Sequence, residues 1–263
     1  MLQPLLTQPF IALILIAITC SLLGVFVLWK KLAYFGDALS HSILLGLVIG
    51  TIFNLDQTLV LILFTIAFSL LLSFSFDNRY FSKDTIIAIA SYLCVSLAMV
   101  LSDIFAKDFD FSSYILGDIT NIEANQIYLL AIIATLSIAF FVFAFKKILL
   151  ININSDLAKI SGINCEFWNL AFLVLLTLTI ALSVKIVGIF LMTSLLILPA
   201  AIARIFCLSS KAMAAYSLLI SIIASLASIE ISSTYNFKIS ATLISLLSLT
   251  FMVGFLSKKY GKF

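Results

Sequence analysis

The sequence predicts an all-α, polytopic bundle of about eight or nine transmembrane helices, and three observations carry that prediction. Hydrophobic residues make up 63% of the chain and charged residues 10%, against roughly 25% charged in soluble domains. The mean hydropathy is +1.27. The apolar runs are far longer than the ~10 alternating residues of a barrel strand, so helices are what can satisfy every backbone polar group in hydrocarbon. No stretch between runs exceeds about two dozen residues, too few for an independent core. The whole chain, 1–263, therefore reads as one transmembrane domain.

Runs long enough to cross a ~30 Å hydrocarbon core lie at 8–29, 38–54, 57–76, 85–104, 126–145, 167–184, 186–206, 211–231 and 239–257. The N-terminus, MLQPLLTQPF, has no basic region before the first run, and no small-residue cleavage site is obvious after that run, so it is expected to be retained as a helix. The second is short. The sixth and seventh are separated by Lys185 alone and are expected to form a broken or re-entrant pair; counted as one, they leave eight spans. Pro199, in TSLLILPAAIA, lacks an N–H and is expected to kink or end its helix. Between the fifth and sixth runs, ININSDLAKISGINCEF (151–167) offers an N-cap at Asn154 or Ser155 and a helix stop at Gly162. A short amphipathic helix outside the membrane fits it, as does a solvated loop.

Basic residues orient the spans. With nine crossings, Lys30, Lys31, Arg79, Lys83, Lys146, Lys147, Lys159, Arg204, Lys211, Lys258, Lys259 and Lys262 fall on one side and Lys107, Lys185 and Lys238 on the other. That asymmetry places the C-terminus in the cytoplasm and the N-terminus outside. The basic residues act as topology signals, so the net charge of +3 implies no nucleic acid. The four cysteines, Cys20, Cys94, Cys165 and Cys207, are scattered and form no C-x-x-C.

An ionisable group within an apolar span costs several kcal/mol on insertion scales and is a functional candidate for that reason. Asp37, His41, Asp103, Lys185 and Glu230 qualify. Asp103 and Lys185 lie near span ends, where snorkelling accounts for them. Glu230 sits in a small, serine-rich stretch suited to helix packing and is a possible pathway residue. Asp37 and the chain's single histidine, His41, are four residues apart in YFGDALSHS and project from one helix face. Carboxylate and imidazole suit zinc or manganese, but two ligands are too few for a closed structural site. An Asp–His hydrogen bond inside the bundle is the alternative. There is no G-x-x-x-x-G-K-[ST] loop, so ATP cannot be bound by the P-loop mechanism. H-E-x-x-H and G-x-S-x-G are absent as well, which argues against an enzyme.

Three passages in order, AYFGDALSHS (33–42), SDLAKISG (155–162) and VKIVGIFLMTSLLILPAAIAR (184–204), resemble the zinc and manganese ABC permease family of ABC-3 type, particularly its bacterial zinc import permeases. YILGDI (114–119) resembles a fourth, weaker feature. The sequence departs from the family at STYNFKIS (233–240), where members commonly carry a Pro-Gly turn. The resemblance implies a permease of the bacterial inner (cytoplasmic) membrane. It would work as a homodimer, or with a related copy, clamped by cytoplasmic ATP-binding subunits and fed by an extracytoplasmic metal-binding protein. It makes Asp37 and His41 the metal-path residues, and Ser155, Asp156, Ala158 and Gly162 parts of the ATPase-coupling segment. Zinc, or Mn2+ or Fe2+, would be transported substrate, with no permanently bound cofactor. TSLLILPAA leans towards zinc. An ion-coupled secondary carrier is the rival class; it would work without ATP and show paired halves, and no convincing internal repeat is visible.

Overall fold

The computed structural model describes residues 8–75, 80–107, 109–117, 122 and 124–260. Among the described residues ten helices follow in order: α1 (Gln8–Trp29), α2 (Ala33–Ile52), α3 (Gln57–Ser75), α4 (Lys83–Phe105), α5 (Phe111–Leu116), α6 (Ala124–Ile153), α7 (Ser155–Ile160), α8 (Cys165–Phe206), α9 (Ser210–Tyr235) and α10 (Ile239–Tyr260). Among the described residues, seven are long and apolar enough to cross a membrane, and α3 is a shorter apolar helix. Arg79, Lys262, Asp118 and Ile119 lie outside the described residues.

Helix ends follow local chemistry. Ser82 and Ser209 cap α4 and α9, their side chains accepting from Thr85 N–H and Ala212 N–H. Left-handed residues close several helices: Lys31 after α1, Asn54 after α2 and Asn236 after α9. At Lys31 the Leu32 N–H donates to Val27 and the Lys31 N–H to Leu28, so a lysine occupies a position that glycine usually fills.

α8 has 42 residues, about 63 Å at 1.5 Å per residue, twice the hydrocarbon thickness. It is two helices meeting at Gly188, whose φ of 81° and ψ of 166° are non-helical. Contacts with α1 show that the chain reverses there. In the first arm Lys30 meets Asn169 and Phe26 meets Phe172, so the arm runs antiparallel to α1. In the second, Cys20 meets Met192 and Gly24 packs on Leu196 and Ala200, so this arm runs parallel to α1. Nine membrane crossings result among the described residues, in agreement with the alternating charge pattern. The break falls at Gly188, not Lys185, because the backbone conformation needed is one that glycine alone adopts readily. Pro199 neither ends α8 nor supplies its non-helical residue; it is buried and the helix continues to Phe206. Inside a bundle, neighbouring groups satisfy the carbonyl that a proline frees.

α5 was not expected. Asp110 caps it, accepting from the Ser112 hydroxyl at 2.7 Å and the Ser112 N–H at 2.9 Å, and these hydrogen bonds, the hydroxyl's first, hold its carboxyl below the usual range. Its last turn binds three crossing helices at the outer end of the bundle. Tyr114 Oη donates to Gln57 of α3 at 3.3 Å, Ser240 Oγ of α10 donates to the Leu116 carbonyl at 3.0 Å, and Gly117 lies backbone to backbone with Gly188. The fifth crossing is also longer than expected. α6 runs on past Lys146 and Lys147 to Ile153, so those lysines mark the membrane edge and not the helix end.

Candidate functional site

α2 carries the carboxylate–imidazole pair. Its sequence buries Phe35, Gly36, Ala38, Leu39, Ser40, Ser42 and Ile43 around it, and packs against α3, α4 and α8. What remains open is a stripe of Tyr34, Asp37 and His41, three and four residues apart on one face. The Asp37 Oδ1 and His41 Nε2 atoms are 3.6 Å apart, with the side chains 47% and 31% exposed. This separation exceeds a hydrogen bond. It is close to the ~3.4 Å between two ligands on a tetrahedral zinc with bonds of about 2.1 Å. Among the described residues no third His, Cys, Asp or Glu joins them.

The pair, though open to the outside of the bundle, lies well along it and not at its cytoplasmic rim. Gly36, beside Asp37, packs against Leu196 in the middle of α8's second arm and Ile180 in its first. The turn before α2 is fixed by Lys30, which donates to Asn169 Oδ1 and stands 5.7 Å over the Phe172 ring. Burial pulls the Lys30 ammonium down to about 8, against a smaller upward pull from Cys165. Lys30 thus does structural work beyond marking topology. Neither it nor Tyr34 stood out in the sequence; the i, i+3, i+7 spacing of Tyr34 with the pair was the available signal.

The 151–167 segment folds as the end of α6, then α7, then the start of α8. Asn154, not Ser155, is the cap, its side chain accepting from Asp156 N–H at 2.9 Å and Leu157 N–H at 3.1 Å. Asp156 lies in the first turn and Ala158 is fully buried. Gly162, at φ 75°, ends the helix: Ile163 N–H donates to the Ala158 carbonyl and Gly162 N–H to that of Lys159, both at 3.0 Å. Leu157 and Ile160, 51% and 83% exposed, leave an apolar face uncovered.

Glu230 is not brought to the pair. It lies on the exposed side of α9 near its outer end, while Ser217, Ser221, Ser225, Ser228 and Ser232 form the buried stripe. Ser217 and Ser221 donate to the Ser21 and Ala17 carbonyls of α1, each at 3.0 Å.

The ABC 3 transport family matches residues 3–258, nearly the whole chain. The protein belongs to the ABC 3 transport family. It is 31% identical over 224 residues to the "High-affinity zinc uptake system membrane protein ZnuB" of Haemophilus influenzae, covering 85% of this chain and 86% of that one. With the protein of the same description from Buchnera aphidicola subsp. Baizongia pistaciae it shares 36% over 240 residues, 90% of this chain and 91% of the other. The "Manganese import system permease protein ScaB" of Streptococcus gordonii is more distant, at 25% over 95% of this chain and 90% of its own. The solved structure "PsaBC from Streptococcus pneumoniae in complex with Fab" shares the fold, with a TM-score of 0.83 at 24% identity over 98% of this chain and 95% of that one. This member of the ABC 3 transport family is a multi-pass membrane permease, and its charge pattern gives the side each loop faces.

Proposed function

We propose that the chain is the membrane permease of an ATP-driven importer that takes up zinc, using Asp37 and His41 of two permease copies as a transient metal site. The observation that carries this reading is the 3.6 Å spacing of two zinc-type donors on the open stripe of an otherwise buried helix. A carboxylate facing hydrocarbon is costly, so a face bearing it must meet protein or water. A second copy related by a two-fold axis would set an identical pair opposite and bring the ligand number to the four that zinc prefers. Parting the copies would halve the set and let the ion go, which meets the need for binding weak enough to permit exit. The zinc-uptake descriptions of the relatives at 31% and 36% identity favour zinc over manganese, and the manganese description of the relative at 25% makes Mn2+ the second reading.

Energy would come from cytoplasmic ATP-binding subunits, for which α7 is the docking lever. It projects Leu157 and Ile160 as an apolar face and is rigidly capped at both ends, the arrangement a helix needs to seat in a groove. An extracytoplasmic binding protein would deliver the ion at the outer end.

The test is uptake of labelled zinc by the importer, ATP-binding subunits included, reconstituted in vesicles. His41→Phe keeps side-chain bulk and removes the ligand. Uptake should fall by at least the 10–100-fold that loss of even an outer-shell partner costs a metal site, with membrane insertion and ATPase association retained. Near-normal zinc uptake would reduce His41 to a packing residue. Uptake that persists without ATP would indicate the ion-coupled carrier, and preferential competition by unlabelled Mn2+ would indicate manganese.

A further inference from the structure

A groove of about 640 Å³ opens between α1, α6 and α9, within the 300–1,000 Å³ of small-molecule sites. Its walls are apolar: Leu22 of α1, Phe141 and Phe145 of α6, Ala215 and Leu218 of α9. Its rim carries Lys146 and Lys147 of α6 and Lys211 at the start of α9, and among the described residues no acidic one lines it. The lysines belong to the cytoplasmic set, and α6 continues beyond them to Ile153, so they stand at headgroup depth and not in the cytoplasmic docking region around α7. The metal pair lies elsewhere: α2 packs on α3, α4 and α8, and α1 and α8 separate it from this groove.

We propose that this groove holds one anionic phospholipid of the cytoplasmic leaflet, its acyl chain against the aromatic and alanine wall and its headgroup phosphate among Lys146, Lys147 and Lys211. The argument is one of charge complementarity. Lipid tails are as apolar as the groove, so an acyl chain entering it gains packing but little hydrophobic driving force. Selection must then come from the rim, and three cations with no acidic counter-charge select an anionic headgroup. Lys147 is already oriented, its Nζ 4.1 Å from the Trp168 ring centroid, whereas Lys146 and Lys211 are exposed at the mouth.

The experiment reads retained lipid, independently of transport. The full-length permease is reconstituted in vesicles of equal parts phosphatidylcholine and phosphatidylglycerol, extracted in mild detergent, and its bound lipid counted by native mass spectrometry. Phosphatidylglycerol should be retained over phosphatidylcholine, and Lys146→Gln with Lys211→Gln should lower that preference on the order of 30-fold, from about fivefold for each surface lysine. Ala215→Trp, which fills the groove and leaves the charges, should also lose the lipid, while Lys159→Gln on α7 should not. Equal retention of the two lipids, or a preference indifferent to the paired glutamines, overturns the proposal. So does disulfide capture of a second permease copy by Ala215→Cys, which would make this face a protein interface.

Discussion

Gly188→Ala tests the reversal on which the topology depends. Gly188 has φ 81° and ψ 166°, a region that L side chains avoid at a cost of about 1–3 kcal/mol. A Cβ there would also lie 2.4 Å from the Gly117 nitrogen and 2.5 Å from the Leu116 carbonyl carbon, where ordinary contact begins at 3.4 Å. α5 and the α8 turn would have to part by about 1 Å, an overpacking of about 1–3 kcal/mol. The sum is about 2–6 kcal/mol. Gly162→Ala supplies the comparison, since Gly162 has φ 75° but nothing within 4 Å of an added Cβ; only the left-handed cost of about 1–2 kcal/mol applies. The assay is unfolding of the purified permease in increasing denaturing detergent, all variants run together. Gly188→Ala should unfold well before Gly162→Ala, and Gly117→Ala added to it should cost less than its separate effect because both remove one contact. If Gly188→Ala proves no worse than Gly162→Ala, the backbone contact between α5 and α8 is wrong.

Gly162→Val should spare insertion and ATP hydrolysis but depress zinc uptake, because a β-branched residue at positive φ disrupts the stop of α7 without a clash; hydrolysis and uptake measured on the same vesicles decide it, and unchanged uptake would make the segment a bystander. Lys30 titrates near 8 in the folded protein against an ordinary value of 10.5, so between those values the unfolded chain binds the extra proton and stability should rise with pH. Denaturation curves across that window should show the rise, and Lys30→Met should abolish it. Ser217→Ala with Ser221→Ala removes two hydrogen bonds between α9 and α1 and should destabilise by about 1 kcal/mol, from ~0.6 kcal/mol for each such bond in a membrane; detergent unfolding reads it, and no shift would mean those hydroxyls find equal partners within α9.

The crossings were legible in the sequence because hydrocarbon imposes a minimum apolar length. The Asp37–His41 face was legible because four residues on a helix is one turn. Contacts between distant segments were not. Gly117 and Gly188 each read as an ordinary glycine until the fold sets their backbones together. α5 lies between Lys107 and the fifth run, six residues whose cap is an aspartate and whose apolar content is too short to show a period. The α1 stop was hidden for the opposite reason, since Lys31 holds a left-handed position without the glycine that announces one. Pro199 does not end its helix, because in a bundle neighbouring groups can satisfy the carbonyl that a buried proline frees.

The reversal at Gly188 also links α7, the helix we propose for coupling, to the face of Asp37 and His41, the metal site we propose. α7 leads through Asn164, whose side chain caps α8 by accepting from Phe167 N–H at 3.0 Å, straight into the first arm of α8, which runs unbroken to Gly188. There its backbone lies against that of Gly117. If α7 takes the load of an ATP-binding subunit, as proposed, the push would reach an arm in close contact at its far end and would tilt it about Gly188. The second arm has its own anchor at its cytoplasmic end, where Lys258 Nζ of α10 donates to the Ile205 carbonyl at 2.7 Å. The two arms would then part, and Gly36 sits beside both, an added Cβ lying 2.7 Å from Leu196 Cδ2 and 4.0 Å from Ile180 Cδ1. On the proposed reading, movement between the arms would be felt at the start of α2, and the residue next to Gly36 is Asp37.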